Sequence, residues 1–173
     1  MIAFAWVPGI ITTLLVYAFA VRALGIDYGK RRIGLALSDA TGLLARPWKT
    51  IAASGDPARI AAALAVEVAA LIAEEDGLSA IALGHPRRLN GQATDATAAV
   101  EKIAALLQSQ VEVPIVLQDE RLSSREAESL LARREKDWRK RKRLIDAAAA
   151  AVILQDYLDE RARAARPTEG DPH

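Results

Sequence analysis

Acidic residues stand at the ends of apolar segments in this chain. Asp27 follows the run Leu24-Gly25-Ile26, Asp119-Glu120 follows the run that starts at Val113, and Asp146 comes directly after a dense run of bases. A carboxylate is costly to bury unless it is paired or holds a metal. Hard cations such as Mg²⁺ and Mn²⁺ prefer carboxylate oxygens, and two of them about 4 Å apart can activate water and stabilise the leaving oxygen of a phosphodiester. The acids therefore indicate metal-dependent phosphodiester chemistry.

Each acid also has a purely structural explanation. Asp27 can cap a turn, and Asp119 or Glu120 can pair with Arg121 or cap the following helix. Asp146 is predicted to lie in the first turn of the last helix, where a carboxylate is favoured by the helix dipole. Because neighbours in a strand face opposite sides, only one of Asp119 and Glu120 can share the face of Asp27. The spacing leaves open which of the two it is.

Positive charge is concentrated in residues 133–143, which hold eight bases and two acids and so carry +6. Since the whole chain carries +1, the remaining residues carry −5. Such a run can grip a phosphate backbone, with an affinity that falls steeply with salt, or it can be a solvated helix face. Trp138 lies inside the run and can either stack on a base or anchor the segment to the domain.

The chain has few residues that could support cysteine- or histidine-based catalysis. The chain of 173 residues has no cysteine, which excludes disulfides, thiolate nucleophiles and zinc–cysteine sites. Of its two histidines, His173 is the last residue, so a histidine triad or zinc site would depend on His85 alone. The hydrophobic fraction of 51% suits one globular domain with its own core. The lack of cysteine is compatible with a reducing cytoplasm.

The pattern around the acids predicts an α/β domain. Alternating apolar residues predict two antiparallel strands at 24–27 and 33–37, joined by a turn with Gly29 and three bases. We expect Gly25 and Gly29 to leave room for a phosphate or metal near the backbone. A third strand with Pro47 fits a sheet edge. Strands and helices then alternate, which favours parallel pairing. The predicted bounds are strands 45–52, 78–83 and 113–118 and helices 57–75, 94–108, one from Ser123, and 144–164.

The predicted domain spans residues 22–164, and the two ends of the chain lie outside it. Residues 1–21 contain no charged side chain. We interpret 1–20 as an artefact of a start site chosen too far upstream, with Val21 as the natural start; a membrane anchor and an apolar helix packed on the domain are the alternatives. Residues 165–173 are polar and are predicted to be a disordered tail.

Four motifs resemble the YqgF (RuvX) family of ribonuclease H-like nucleases, which are related to Holliday-junction resolvases. They are LGIDYGKRRIGLALSD at 24–39, Gly84-His85-Pro86 followed by Asn90-Gly91, DERLSS at 119–124 and KRKRLIDAAAAAVILQDYL at 140–158. The resemblance covers roughly residues 22–160. It implies a ribonuclease H-like fold, with a five-stranded mixed sheet flanked by helices, and a cytoplasmic protein that matures the 5′ end of pre-16S rRNA.

The resemblance also implies site residues and partners. Asp27, Glu120 and Asp146 are the implied catalytic acids and ligands of Mg²⁺ or Mn²⁺, and it is the resemblance that favours Glu120 over Asp119. The expected partners are pre-16S rRNA in a ribosome precursor, or branched DNA, bound by a monomer or homodimer with no membrane contact. We expect the nucleic-acid contacts to come from the hairpin and the basic run: Lys30, Arg31, Arg32, Arg121, Arg139, Lys140, Arg141, Lys142 and Arg143.

Two features depart from the family pattern, and two rival functions remain. The apolar extension is foreign to the family, and His85 with Arg87-Arg88 is unusually basic; these bases either add phosphate contacts or are neutral surface variation. A non-catalytic nucleic-acid-binding module is one rival. The other is an actin-like or sugar-kinase-like ATPase, which needs two such domains and a second Gly-rich phosphate loop. The basic run would contact the phosphate backbone, which RNA and DNA share, so the sequence does not distinguish an RNA substrate from a DNA substrate.

Overall fold

The computed structural model describes residues 22–86, 92–119 and 138–165, and it describes side chains of the last range from residue 145 onwards. Predictions for residues 1–21, Arg87-Arg88, Asn90-Gly91, 120–137 and 166–173 lie outside the described residues. The described elements are five strands, β1 (Ala23–Tyr28), β2 (Arg32–Ser38), β3 (Ala45–Ala52), β4 (Ala80–His85) and β5 (Ile115–Asp119), and three helices, α1 (Pro57–Ile72), α2 (Asp95–Gln108) and α3 (Trp138–Ala164).

The strands form one mixed sheet in the order β3-β2-β1-β4-β5. The first three strands are antiparallel neighbours, whereas β4 runs parallel to both β1 and β5. The predicted ribonuclease H-like arrangement, a meander followed by parallel strands, is therefore confirmed. As expected for that order, β4 separates β5 from the central strand β1.

The two faces of the sheet differ in side-chain size. Large residues such as Leu24, Ile26 and Leu35 face α1 and α2 and form the main core. The opposite face carries small residues from three strands and packs against Ala150, Ile153, Leu154 and Leu158 of α3: Ala23, Ala36, Ala80 and Ala82. Small side chains let a helix approach the sheet backbone closely. A Cβ added to Gly25 would lie only 2.5 Å from the carbonyl oxygen of Ala150.

Local signals set the starts of α1 and α2 where they are predicted. The Asp56 side chain accepts a hydrogen bond from the Arg59 backbone N–H, and Pro57 occupies the first turn of α1. Thr94 and Thr97 form a reciprocal capping box at the start of α2.

The start of α3 differs from the prediction. The helix is already formed at Trp138, so the bases from Arg139 to Arg143 belong to it rather than to a preceding segment. Arginine and lysine are good helix formers, which explains why the helix extends through them. Asp146 consequently lies in the third turn of the described helix. The helix-dipole explanation for its presence is therefore wrong.

The end of α3 is tied to the β2–β3 turn by one side chain. Gln155 accepts a hydrogen bond from the Ala45 N–H at 2.9 Å and donates one to the Leu43 carbonyl at 3.0 Å. These bonds fix the helix relative to the sheet about two and a half turns after Asp146. None of the described helices is long and apolar enough to cross a bilayer.

Candidate active site

Asp27 lies near the end of the central strand, on the face that packs against α3. It pairs directly with Gly34 of β2. Alternation along β1 puts Leu24 and Ile26 in the core on the other face, so Asp27 shares the face of Ala23 and Gly25. Its side chain is half-buried. The carboxylate therefore lies on the face of the sheet where small side chains pack against α3.

Asp146 reaches the same place through the backbone of α3. A Cβ added to Gly34 would lie 1.8 Å from the Asp146 carbonyl oxygen and 3.0 Å from the Ala147 nitrogen. Only glycine can occupy this crossing point without moving the helix. Since Gly34 is also the ladder partner of Asp27, the helix crossing brings two acids from distant parts of the sequence to one corner of the sheet.

Asp27 is flanked across the sheet by residues without side chains. Gly34 lies beside it on β2, and Gly84 follows the last β1–β4 pair, Ile26 with Leu83. The next strand contributes Gln118, which pairs with Gly84 and is 6% exposed. On this face Asp27 therefore has no side chain directly beside it on β2 or β4, the α3 backbone covers Gly34, and a buried amide lies at the far end of the row.

Asp119 lies on the opposite face from Asp27. It pairs with His85, which is one residue beyond Gly84 and so points to the side of α1 and α2. His85 is buried, and its Nε2 lies 3.0 Å from Glu101 Oε1 of α2. Both interpretations of His85 as a surface residue, phosphate contact and neutral variation, are wrong, because β4 continues through His85 instead of ending before it.

A basic side chain of the hairpin contacts the acid on α3. Arg32 Nε lies 2.8 Å from Asp146 Oδ2, and the two side chains are 30% and 25% exposed. Although the two atoms are close, their geometry does not meet the requirements of a hydrogen bond, so we describe the Arg32–Asp146 contact as an ion pair. Arg32 lies two positions from Gly34 on the same face of β2, which places it diagonally across from Asp27.

The donor set fits a hard cation as far as it is described. Asp27 and Asp146 supply carboxylate oxygens, the ligands that such cations prefer, on one face of the sheet. In the part of the chain that the structure describes, no three His, Cys, Asp or Glu side chains are grouped as a metal site requires. The third predicted ligand, Glu120, lies outside that part.

Comparison with known proteins shows the family. The family model described as RuvX, Holliday junction resolvase, matches residues 21–160. This chain belongs to the RuvX family. Curated relatives named "Putative pre-16S rRNA nuclease" include one from Geobacillus kaustophilus, 38% identical over 141 residues that cover 82% of this chain and 99% of the relative. Another, from Nocardioides sp., is 41% identical over 151 residues, covering 84% of this chain and 93% of the relative.

Among solved structures, RuvC of T. thermophilus in complex with a Holliday junction substrate is similar with a TM-score of 0.49 and 16% sequence identity. The match covers 82% of this chain and 96% of that chain. The sequence matches identify this chain as a member of the RuvX family, as its motifs predict.

The predicted nucleic-acid contacts of this RuvX protein fall into three groups. Lys30 and Arg31 are exposed in the β1–β2 turn, while Arg32 is engaged with Asp146. The backbone of Arg139 to Arg143 is helical. Arg121 lies outside the described residues.

Sequence reasoning missed two residues of this RuvX site and misinterpreted two others. Gly34 and Gln118 were not recognised, although small residues at every second position of β1, β2 and β4 were a readable signal of a close helix. Gly25 and Gly29 do not leave room for a ligand as expected. The backbone of α3 lies against Gly25, and a Cβ on Gly29 would lie 2.8 Å from the Arg32 carbonyl oxygen.

Proposed function

We propose that this RuvX protein is a divalent-metal-dependent endonuclease that hydrolyses phosphodiesters, with the 5′ end of pre-16S rRNA as its substrate. One observation carries the proposal. The turn of α3 that bears Asp146 rests on Gly34, the ladder partner of Asp27, so two acids from distant parts of the chain share one face of the sheet at this crossing. Family membership supports the reaction class, and the names of the relatives support the substrate.

Asp27 and Asp146 would hold Mg²⁺ or Mn²⁺, together with Glu120. When bound, the metal would lower the pKa of water and neutralise charge on the phosphodiester. The pairing of β5 supports Glu120 over Asp119, because Asp119 lies opposite His85 on the face away from Asp27, whereas Val116 and Gln118 share the face of Asp27.

The chain's own groups would orient the substrate. Lys30 and Arg31 project from the turn next to Asp27 and can bind phosphates on one side of the site. The bases of α3 precede Asp146 on the same rigid helix, so they would bind the backbone on the other side. Because Asp27 lies on the central strand, it would not move when substrate binds. The catalytic groups would then be positioned for attack on the phosphodiester before the reaction starts.

The test offers the full-length protein a 5′-extended pre-16S rRNA with Mg²⁺ or Mn²⁺ and measures single-turnover cleavage. Asp27→Asn and Asp146→Asn keep the side-chain shape and remove a negative charge. We expect each to lower the cleavage rate by at least about 100-fold while RNA affinity stays within about threefold.

Asp159→Asn is the matched control, because it makes the same change in α3 about three and a half turns beyond Asp146, at an exposed position. It should cleave at the wild-type rate. Metal-independent RNA binding without cleavage by the wild-type protein would instead favour the non-catalytic binding module. Cleavage that survives both Asn variants would place the reaction elsewhere.

A DNA-junction nuclease is the second candidate, favoured by the family description as a Holliday junction resolvase. A four-way DNA junction is therefore assayed beside the rRNA. Symmetric resolution would need two sites, so sedimentation of the bound complex shows whether a monomer or a homodimer acts. If pre-16S rRNA is the substrate, the protein would cleave it within a ribosome precursor in the cytoplasm.

A further inference from the structure

We propose that Arg32 is a positioning residue that holds Asp146 in the metal-free protein and leaves it for a substrate phosphate when metal binds. The inference rests on the proposed function. It assigns to Arg32 a coupling between metal and nucleic-acid binding, beyond a general phosphate contact.

The contact engages one of the two Asp146 oxygens that could bind a metal. Arg32 Nε lies 2.8 Å from Asp146 Oδ2, in a pair of which each side chain is at least two-thirds covered. Arg32 is the first residue of β2, and its backbone is fixed by the Gly29 N–H donating to its carbonyl at 3.0 Å. The Asp146 backbone is fixed against Gly34. Only the side chains are left to rearrange.

A metal and the guanidinium compete for this carboxylate. A Mg²⁺ or Mn²⁺ ion binds a carboxylate oxygen at about 2.1 Å, so an ion on Oδ2 and Arg32 Nε would be at most about 5 Å apart. Like charges at that distance repel in a partly covered site. Metal binding should therefore release Arg32, and Arg32 should weaken metal binding when no nucleic acid is present.

A phosphate gives the released guanidinium a better partner. Arginine binds phosphate oxygens with two parallel N–H donors, and Arg32 faces the same side as Asp27, where the scissile phosphate would lie. The substrate and the metal would then each favour binding of the other. Because such coupling is reciprocal, it can be measured from either side.

The first test measures Mn²⁺ affinity of the full-length protein without nucleic acid, from the electron paramagnetic resonance signal of free Mn²⁺. Arg32→Gln should bind Mn²⁺ roughly two- to fivefold more tightly than wild type, the range expected for removing a partly exposed ion pair. Arg161→Gln is the matched control, since it removes the same charge from an exposed position in the last turn of α3, outside the proposed nucleic-acid contacts. Its Mn²⁺ affinity should change by less than about 1.5-fold.

The second test measures binding of a short RNA oligonucleotide with and without Ca²⁺, a hard cation that also takes carboxylate ligands. Ca²⁺ should tighten RNA binding by wild type and by Arg161→Gln, and at least twofold less in Arg32→Gln. Unchanged or weaker Mn²⁺ binding by Arg32→Gln, or undiminished Ca²⁺ coupling, overturns the inference. Failure of the proposed metal site is a separate result: Asp27→Asn and Asp146→Asn would then bind Mn²⁺ as wild type does.

Discussion

Replacing Gly34 by alanine should move Asp146, the proposed catalytic acid, while leaving its side chain unchanged. The new Cβ would lie 1.8 Å from the Asp146 carbonyl oxygen, whereas real Cβ contacts are essentially never shorter than 3.0 Å. The gap must therefore open by at least about 1.2 Å, the difference between these two distances. The obstacle is helix backbone, which cannot turn aside as a side chain can. The third turn of α3 must move away from the sheet.

Two magnitudes follow from this displacement. Overpacking of this kind costs about 1–3 kcal/mol of stability. Misplacing a catalytic group by about 1 Å costs about 100-fold in rate, even when the mutation lies outside the chemistry. The cleavage rate should therefore fall by about 100-fold under conditions where the variant is still folded.

The assay is single-turnover cleavage with saturating metal, at a temperature well below the unfolding midpoint measured by circular dichroism. Ile103→Val on the other face of the sheet is the control, because it costs about 0.5–1.5 kcal/mol in the main core without changing the α3 crossing. A folded Gly34→Ala protein that cleaves as fast as Ile103→Val would refute the argument that this crossing positions Asp146.

Three further outcomes are expected. Gln155→Ala should lower the free energy of unfolding by about 1–2 kcal/mol in urea titrations, because it removes the side-chain bonds to Ala45 and Leu43. His85→Ala should cost about 1–3 kcal/mol while RNA affinity changes less than twofold, since His85 is buried on the other face of the sheet; a large affinity loss would contradict this. The pKa of Asp39 is held below its ordinary value chiefly by the Leu43 N–H, so the stability it adds is present above about pH 3.9 and lost as pH falls through its lower folded pKa. Thermal unfolding of Asp39→Ala should accordingly differ from wild type at pH 7 and converge with it in acid.

Local signals in the sequence predict most of the fold. Alternation around Asp27 predicts the hairpin, and apolar residues at helical spacing predict α1 and α2, whose starts are then set by caps at Asp56 and Thr94, because each signal depends on residues a few positions apart. The predictions that failed depend on distant contacts. β4 extends through His85 because β5 and α2 supply partners for that residue, in the Asp119 pairing and the Glu101 contact.

The site is predicted only in part, for a similar reason. Asp27 and Asp146 can be picked out as unusual acids, but their meeting depends on a helix crossing at Gly34, which no spacing within either segment encodes. The Arg32 contact is equally non-local. The alternation of small and large residues in three strands does carry this information, since it marks the face that a helix can approach to backbone contact.

The structure places on one helix two sets of residues that the sequence suggests belong to separate segments. Asp146 and the bases from Arg139 to Arg143 belong to one continuous helix, which Gly34 and Gln155 hold against the sheet. A displacement of α3 therefore moves Asp146 together with the bases proposed to bind phosphate, so it should lower both RNA affinity and cleavage rate. Loss of Lys30 or Arg31, in the turn between β1 and β2, leaves α3 in place and should lower affinity alone. The ratio of the two effects thus distinguishes variants that act through the helix from variants that act through the hairpin.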